Sequence, residues 1–233
     1  MPSRPGAADA VGAAPAPPEP PGGARPTRSY LDIIAYYDAC LRRFGDTHLG
    51  ADWSSARDAA TRYRVMLDVI RSPATTTVSL LDFGCGASRL LDFILSEGRS
   101  GIAYSGLDLS PEGIALSRRK YGGVPYYCLD VLEPGAELPG FDYVVMNGVF
   151  TERRELTVEE MLAYTVAVVE AMFARTTVGL AFNVMSAHLG WELPHLFHLP
   201  FDRLAAVLTA RLTRNFVVRT DYGLPDYTVY IYR

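Results

Sequence analysis

The chain has 233 residues, enough for one α/β domain with a hydrophobic core on both sides of a sheet. Hydrophobic residues make up 49% of it and charged residues 21%, as in an ordinary globular protein. The formal net charge of −4 argues against DNA or RNA as a substrate, because nucleic-acid binders usually carry a basic excess.

Residues 1–28 consist mostly of Pro, Ala and Gly. Such a segment cannot bury enough apolar surface to offset the entropy that it would lose on ordering. We predict a disordered tail here with no role in the chemistry. A proline-rich docking segment is the alternative.

Residues 29–73 are predicted to form an N-terminal cap of two helices. In the first helix, apolar side chains recur at helical spacing until Gly45 provides a stop. The second helix begins after Ser54 or Ser55, both of which can cap its N-terminus, and ends before Pro73.

From residue 78 onward, strands and helices alternate. Strands are predicted at 78–83, 102–107, 126–129, 143–146 and 178–184, with helices at 89–97, from Pro111, at 157–174 and at 201–212. Residues 216–220 and 227–232 follow as a β-hairpin. The alternation predicts a core domain, residues 74–233, with a mainly parallel sheet covered on both faces, and the hairpin adds antiparallel pairing.

The cysteines Cys40, Cys85 and Cys128 are far apart and show neither a disulfide framework nor a zinc-ligand spacing. No apolar run reaches the ~20 residues of a membrane span, and the N-terminus lacks a secretory signal. We therefore expect a cytoplasmic protein without membrane association.

Three predicted strand ends carry polar residues suited to a ligand, and ligands of open α/β sheets bind at that edge. After the first strand, Gly84 and Gly86 allow a tight turn and a close approach of the ligand to the backbone, and Asp82 can accept hydrogen bonds from an ammonium group. After the second strand, Asp108 can accept both hydroxyls of a ribose. It would otherwise cap the next helix, a role that Ser110 fills better.

Asp130 ends the third strand, where its carboxylate can accept a hydrogen bond from the exocyclic amine of adenine. The amide of Val131 can meet a ring nitrogen of the same base. Each strand-end feature is common by itself. Together they predict an adenosine ligand.

The segments LDFGCG, GLDLS, LDV and FDYVVMNGVF, in this order, resemble the motifs of class I S-adenosylmethionine (SAM)-dependent methyltransferases. The resemblance runs from about Tyr30 to the C-terminus. It implies a Rossmann-like three-layer sandwich with a seven-stranded, mostly parallel sheet that ends in an antiparallel hairpin. It also implies SAM as the cofactor and an enzyme of the EC 2.1.1 type.

The resemblance implies a role for each motif residue. The methionine part of SAM would be lined by Asp82, Gly84, Cys85 and Gly86, the ribose held by Asp108 with Leu109 beside it, the adenine by Asp130 and Val131, and the sulfonium flanked by Asn147 and Gly148. Ser88 stands where the family often has a third glycine, and its small side chain should preserve binding. Arg89 is too bulky for the third small residue of a dinucleotide fingerprint, which disfavours NAD.

Asn147 is followed by Gly148-Val149-Phe150 and not by the two prolines that shape a pocket for a flipped base. This favours a small-molecule acceptor methylated on O or N. A SAM-binding partner or regulatory protein without catalysis is the alternative, and an NAD-dependent oxidoreductase is a third. The acceptor and the oligomeric state are left open.

Three of the four histidines, His188, His195 and His198, lie directly after the fifth predicted strand. His188 is the candidate general base, because it is nearest to the strand end. Packing of an aromatic lid is the alternative. No acidic cluster accompanies these histidines, so we predict no metal site.

Four further residues are candidates for the cavity. Trp53, His48 and Trp191 are assigned to the substrate side, with lid packing as the alternative for Trp53. Arg62 is assigned to the methionine carboxylate of SAM, with a solvated helix charge as the alternative.

Overall fold

The structure, a computed structural model, describes residues 30–73 and 75–233. The predicted disordered tail, residues 1–28, lies outside the described residues. Within them, no helix is both long enough and apolar enough to span a bilayer. The helices of this part of the chain are α1 (Leu31–Phe44), α2 (Ala56–Leu67), α3 (Arg89–Ser96), α4 (Pro111–Lys120), α5 (Val158–Phe173) and α6 (Phe201–Arg211).

The strands of the described residues form a single sheet. They are β1 (Val78–Phe83), β2 (Ile102–Leu107), β3 (Tyr126–Tyr127), β4 (Phe141–Phe150), β5 (Thr176–Ser186), β6 (His198–Leu199), β7 (Phe216–Arg219) and β8 (Asp226–Tyr232). The strand order is β3-β2-β1-β4-β5-β8-β7, and β6 pairs with β5 outside this path.

The first six strands pair in parallel, and β8 runs antiparallel between β5 and β7. The predicted Rossmann-like sheet with a terminal antiparallel hairpin is thus confirmed, with seven strands in the continuous path. β4 and β5 extend beyond their predicted bounds at both ends, and two further details differ from the prediction. β3 has only two residues, and the two-residue strand β6 was not predicted.

Two apolar clusters cover the two faces of the sheet. One contains buried residues of α1, α5 and α6, and the other contains buried residues of α2, α3 and α4. Adjacent residues of β4 point to opposite clusters, since Val144 belongs to the first and Val145 to the second. Both valines are fully buried. This arrangement is the predicted three-layer sandwich, and it explains why the central strands are apolar throughout.

The helix boundaries follow from local capping. The Ser55 hydroxyl accepts a hydrogen bond from the Asp58 amide at 3.0 Å, and Thr157 forms a capping box with Glu160 at the start of α5. Gly45 ends α1 with a φ of 64°. The predicted caps therefore place α1, α2 and α5 correctly.

The two helices predicted as one cap occupy different positions. α1 and its N-cap residue Tyr30 lie over the carboxyl ends of three parallel strands. Tyr30 donates to Asp130 at 2.5 Å, Tyr37 donates to the carbonyl oxygen of Gly148 at 3.3 Å, and Asp38 accepts from Ser110 at 2.5 Å. α2 packs against the face of the sheet instead. The division of the chain at residue 73 stays a prediction.

Candidate active site

A cavity lies at the carboxyl ends of β1, β2 and β4, under α1 and the loop 45–53. Nine of the residues that the sequence assigned to a ligand line it together: Trp53, Asp82, Gly84, Cys85, Gly86, Asp108, Leu109, Asn147 and Gly148. These residues come from four separate segments. Three of the segments meet because parallel strands present their carboxyl ends at one edge of the sheet, and the loop 45–53 adds Trp53.

The turn after β1 depends on glycine. Gly84 has a φ of 77°, and a Cβ atom added to it would lie 2.7 Å from Cγ2 of Val149. Ser88 also has a left-handed φ, 58°, and its buried hydroxyl lies 2.8 Å from both the Ser117 hydroxyl and the Tyr126 hydroxyl. These hydrogen bonds explain how serine occupies a position that often holds glycine.

Asp108 joins the end of β2 to the glycine turn. Its Oδ2 accepts from the Gly86 amide at 2.7 Å, and its Oδ1 accepts from the Ser110 amide at 2.8 Å. The hydroxyl of Ser110 caps α4 by accepting from the Gly113 amide at 2.9 Å. Burial raises the pKa of Asp108, and the two amides oppose this rise. The carboxylate thus orders the loop and also faces the cavity.

Asp82 is a buried carboxyl group at the floor of the cavity. Its Oδ2 accepts a hydrogen bond from the Tyr104 hydroxyl at 2.7 Å. Burial raises the pKa of Asp82 to about 7, the Tyr104 hydroxyl opposes this rise, and the charge of Asp108 adds to it. Asp82 therefore titrates near neutral pH.

Asn147 and Gly148 form the wall at the end of β4. The side-chain oxygen of Asn147 is buried and accepts no hydrogen bond from the described residues. Native proteins rarely leave a buried acceptor unpaired, so this atom fits a donor group of a ligand. The Gly148 amide donates to Oδ1 of Asn183 at 2.8 Å, and Nδ2 of Asn183 donates to Asp226 at 2.7 Å.

Trp53 closes the cavity over Gly148. A Cβ atom on Gly148 would lie 2.8 Å from Cζ2 of the indole, so only glycine admits the ring there. The guanidinium carbon of Arg62 lies 4.3 Å from the centre of the indole ring. The indole is thus held between Gly148 and Arg62.

The structure places Arg62 away from its predicted position, because another part of the chain occupies its guanidinium. Nη2 of Arg62 donates to Oδ1 of Asp226 at 2.6 Å, and Nε donates to the two oxygens of Asp226 at 3.0 and 3.2 Å. Arg62 is buried and does not line the cavity. It is neither a carboxylate ligand in the cavity nor a solvated charge.

Comparison with known proteins agrees with this geometry. Residues 81–171 match the protein family described as "Methyltransferase domain". This part of the chain is therefore similar to a methyltransferase domain. The resemblance of the strand-end motifs to class I SAM-dependent methyltransferases is thereby confirmed. No curated protein matches the sequence.

Solved methyltransferase structures share the fold. Magnesium protoporphyrin IX methyltransferase from Synechocystis PCC 6803, with bound S-adenosylhomocysteine (SAH), is 15% identical with a TM-score of 0.60, covering 88% of this chain and 99% of its own. The N-methyltransferase NodS from Bradyrhizobium japonicum WM9, in complex with SAH, is 15% identical with a TM-score of 0.58, and the match covers 89% of this chain and 99% of that of NodS. The 1,6-didemethyltoxoflavin-N1-methyltransferase from Burkholderia thailandensis is 18% identical with a TM-score of 0.55, and the match covers 90% of this chain and 91% of that enzyme.

Asp130 and Val131 do not line the cavity. Oδ1 of Asp130 accepts from the Leu132 amide at 2.9 Å, and Oδ2 accepts from the Tyr30 hydroxyl. The ring of Tyr30 stacks on Tyr164 with 4.6 Å between centroids, and both rings line the cavity. The adenine contacts assigned to Asp130 and Val131 stay a prediction.

Three residues assigned to catalysis or substrate do not reach the cavity. His188 is exposed and packs against Phe201 with 4.6 Å between ring centroids, and Trp191 is 47% exposed and meets the His198 ring edge-on. His48 is half-buried in the loop 45–53 without lining the cavity. The chain returns to pair as β6 with the last two residues of β5, and the loop between the two strands, which holds His188 and Trp191, does not line the cavity.

Several residues of the cavity wall were not predicted from the sequence, among them four with polar side chains. Tyr37 and Asp38 come from α1, Tyr63 comes from α2, and Arg89 begins α3. Asp38 is the polar residue in the apolar stripe of α1, and that interruption was the available signal. The others carried no distinguishing pattern, because Tyr63 belonged to an ordinary apolar helix face and Arg89 to an ordinary first helical turn.

Proposed function

We propose that this protein is a SAM-dependent methyltransferase that transfers the methyl group to O or N of a small-molecule acceptor. One observation carries the proposal. The cavity joins a glycine turn, a ribose-suited carboxylate at Asp108 and an unpaired buried acceptor at Asn147. SAH or SAM bound in fold neighbours supports the same cofactor here.

The cavity residues fit the chemical groups of SAM. Asp108 would accept the ribose hydroxyls, and Asp82 with the Asn147 oxygen would accept hydrogen bonds from the α-ammonium group. The side-chain oxygen of Asn147 supports this fit most specifically, because the α-ammonium group would supply the hydrogen-bond donor that this buried oxygen lacks. Asp130 and Val131 would approach the adenine behind the stacked rings of Tyr30 and Tyr164.

When bound, SAM supplies an activated methyl group on a sulfonium. The protein's own residues then orient the reactants and exclude water. α1 and Trp53 cover the cavity, and Gly148 leaves room for the indole beside the predicted methyl-transfer position. His188 lies outside the cavity, so the proposal assigns it no proton transfer.

A small acceptor agrees with a cavity enclosed by α1 and the loop 45–53. Two fold neighbours support this class of acceptor, since one is a magnesium protoporphyrin IX methyltransferase and another holds bound 1,6-didemethyltoxoflavin. The free thiols of Cys40, Cys85 and Cys128 support a cytoplasmic location within the proposal.

Ligand binding tests the cofactor. Thermal unfolding of the full chain is measured with SAM, SAH and NADH, on the wild type and on Asp108→Ala, with Asp32→Ala on the exposed face of α1 as the matched control. A ligand at ~100 times its Kd adds ~2.7 kcal/mol of stability. SAM and SAH should stabilise the wild type and Asp32→Ala, and this response should disappear in Asp108→Ala.

Turnover tests the catalysis. SAH release from SAM is measured with a panel of small hydroxyl- and amine-bearing acceptors, and at least one acceptor should increase it. Stabilisation by NADH without stabilisation by SAM would contradict the proposed cofactor. Normal SAM binding without SAH release for any acceptor would favour a non-catalytic SAM-binding protein.

A further inference from the structure

Arg89 has an unused hydrogen-bond donor in the cavity wall. It is the first residue of α3, directly after the glycine turn, and it lines the cavity. Its Nε atom is buried and has no hydrogen-bond partner among the described residues. A buried donor without a partner costs free energy, so the atom fits an acceptor that arrives with a ligand.

The charges of the cavity wall define what that acceptor is. The acidic side chains of the wall are Asp38, Asp82 and Asp108, whereas Arg89 is its one basic side chain among the described residues. A zwitterionic ligand with one carboxylate and further donor groups matches this arrangement. Its carboxylate would avoid the three acids and bind Arg89.

The guanidinium is already held in place from one side. Nη1 of Arg89 donates to the backbone oxygen of Asp46 at 2.9 Å and to its Oδ1 at 3.0 Å. Oδ2 of the same carboxylate pairs with Lys120 at 2.7 Å, so two cations share Asp46. Asp46 belongs to the loop 45–53, and this loop therefore orients Arg89 and leaves its Nε free.

Two other candidate donors for a carboxylate, Arg62 and Thr47, already have partners. The guanidinium of Arg62 is bound by Asp226 and lies outside the cavity wall. The hydroxyl of Thr47 donates to the Phe44 carbonyl at 3.0 Å and accepts from the Gly50 amide at 3.2 Å. Neither side chain is available to a carboxylate, in contrast to Arg89.

We propose that Arg89 binds the carboxylate of the amino-acid part of the nucleoside ligand. The assignment rests on the proposed function, in which the ligand is SAM and the carboxylate is that of its methionine moiety. Arg89 takes the role that the sequence analysis gave to Arg62. Tyr63 lies beside it in the wall, where burial raises the pKa of Tyr63 to about 12 and the charge of Arg89 opposes this rise.

Two ligands separate recognition of the carboxylate from recognition of the adenosine. SAH carries the amino-acid part, whereas 5′-methylthioadenosine has the same nucleoside and thioether but no amino-acid part. Their Kd values are measured by isothermal titration calorimetry on the full-length wild type, Arg89→Met, Arg89→Lys and Lys120→Met. Lys120→Met is the matched control, because Lys120 shares Asp46 with Arg89 but does not line the cavity.

Arg89→Met should weaken SAH on the order of tenfold to hundredfold, the range of a charge-assisted hydrogen bond. It should leave the Kd of 5′-methylthioadenosine within about twofold, which also shows that the site is folded. Arg89→Lys should recover part of the SAH affinity, since it keeps the charge, and Lys120→Met should keep the wild-type ratio of the two Kd values.

Two results would overturn the assignment while the proposed function stands. In one, Arg89→Met weakens both ligands equally, and the effect is then structural. In the other, it weakens neither. A wild type that binds neither ligand would overturn the proposed function, and the assignment of Arg89 with it.

Discussion

At the scale of single residues, the pKa of Asp82 links pH to ligand binding. Burial raises this pKa to about 7, with the Tyr104 hydroxyl opposing the rise and Asp108 adding to it. An ammonium group binds the ionised carboxylate better than the neutral acid. Below pH 7, the carboxyl group must therefore lose a proton when such a ligand binds, and affinity should fall as the pH falls.

We predict that the affinity for SAH increases from pH 6 to pH 8 in the wild type. Linkage limits the change to about tenfold per pH unit. Asp82→Asn, which keeps an acceptor for the Tyr104 hydroxyl, should abolish the dependence. 5′-Methylthioadenosine lacks the ammonium group and serves as the matched ligand, with a flat profile. An equal slope for the two ligands would assign the titration to a group near the nucleoside, such as Asp108.

Gly148 gives a second prediction at this scale. Gly148→Ala combines a left-handed φ of 80° with a Cβ atom 2.8 Å from the indole of Trp53. Gly190 has a similar φ of 67° but open space around its Cα, so Gly190→Ala is the matched control. The left-handed conformation alone costs about 1–2 kcal/mol, which Gly190→Ala should show in urea unfolding.

Gly148→Ala should cost more than that, because the indole must also move, and it should weaken SAH binding. Gly190→Ala should bind SAH like the wild type. Equal losses of stability in the two variants, with SAH affinity intact in both, would show that Trp53 is not packed tightly against Gly148.

The sequence predicts the position of a cavity residue when that position depends only on the neighbouring strand. Asp108, Gly84 and Gly86 follow their strands directly, and the strand ends determine where they lie. Arg62 and His188 depended on distant partners. Arg62 meets Asp226 164 residues further along the chain, and His188 lies in the loop that leads from β5 back to its partner strand β6. No pattern in the sequence encodes either contact.

At the scale of secondary-structure elements, the ion pair between Arg62 and Asp226 connects α2 to the start of β8. The side chains are 7% and 0% exposed, and Asp226 also accepts from Asn183, which holds the Gly148 amide. Losing one member would leave the other charge buried without compensation, which costs about 3–5 kcal/mol. An exposed pair has no comparable cost.

We therefore predict that Asp226→Asn lowers the free energy of unfolding by about 3–5 kcal/mol. Glu112→Gln is the control, because it breaks an ion pair with Arg42 whose side chains are 57% and 48% exposed, and it should cost less than about 1 kcal/mol. Urea unfolding followed by circular dichroism measures both. Similar midpoints for the two variants would mean that Arg62 finds water or another partner when Asp226 is neutral.

The elements themselves were largely predictable, because their caps and apolar periods are local. The serine and threonine caps and the apolar stripes placed α1, α2, α4 and α5, and the strand runs placed the central sheet. The position of α1 across the cavity was not predictable in this way. It depends on Tyr37, Asp38 and other side chains that bond to residues at strand ends far along the chain.

At the scale of the whole molecule, buried acids set how stability depends on pH. Glu152 is 4% exposed, and burial raises its pKa to about 7. The charge of Asp52 adds to the rise, and Arg154, whose Nη1 lies 3.4 Å from the Glu152 carboxylate, opposes it. In the unfolded chain the pKa is near 4.5. Asp82 shifts in the same direction, from 3.8 to about 7.

Whether stability rises or falls with pH depends on which state, folded or unfolded, binds more protons. Between pH 4.5 and 7, the folded protein keeps the proton of Glu152 and the unfolded chain releases it, so stability falls as the pH rises. The stability that the proton of Glu152 contributes is fully present below pH 4.5 and is lost above pH 7. Asp142 has the opposite shift, since hydrogen bonds from Ser79 lower its pKa, and its contribution is lost only at more acidic pH.

We predict that Glu152→Gln removes part of the decline in stability between pH 5 and pH 7 and is more stable than the wild type at pH 8. The gain at pH 8 should be on the order of 1–3 kcal/mol, since one pKa unit corresponds to about 1.4 kcal/mol. The slope that remains belongs to Asp82 and Asp108, since burial raises the pKa of both carboxyl groups. Urea midpoints at pH 5, 6, 7 and 8 measure the effect, with Glu155→Gln, an exposed site three residues along, as the control. A Glu152→Gln profile parallel to that of the wild type would mean that Glu152 is ionised in the folded protein throughout this range, and that Arg154 outweighs burial.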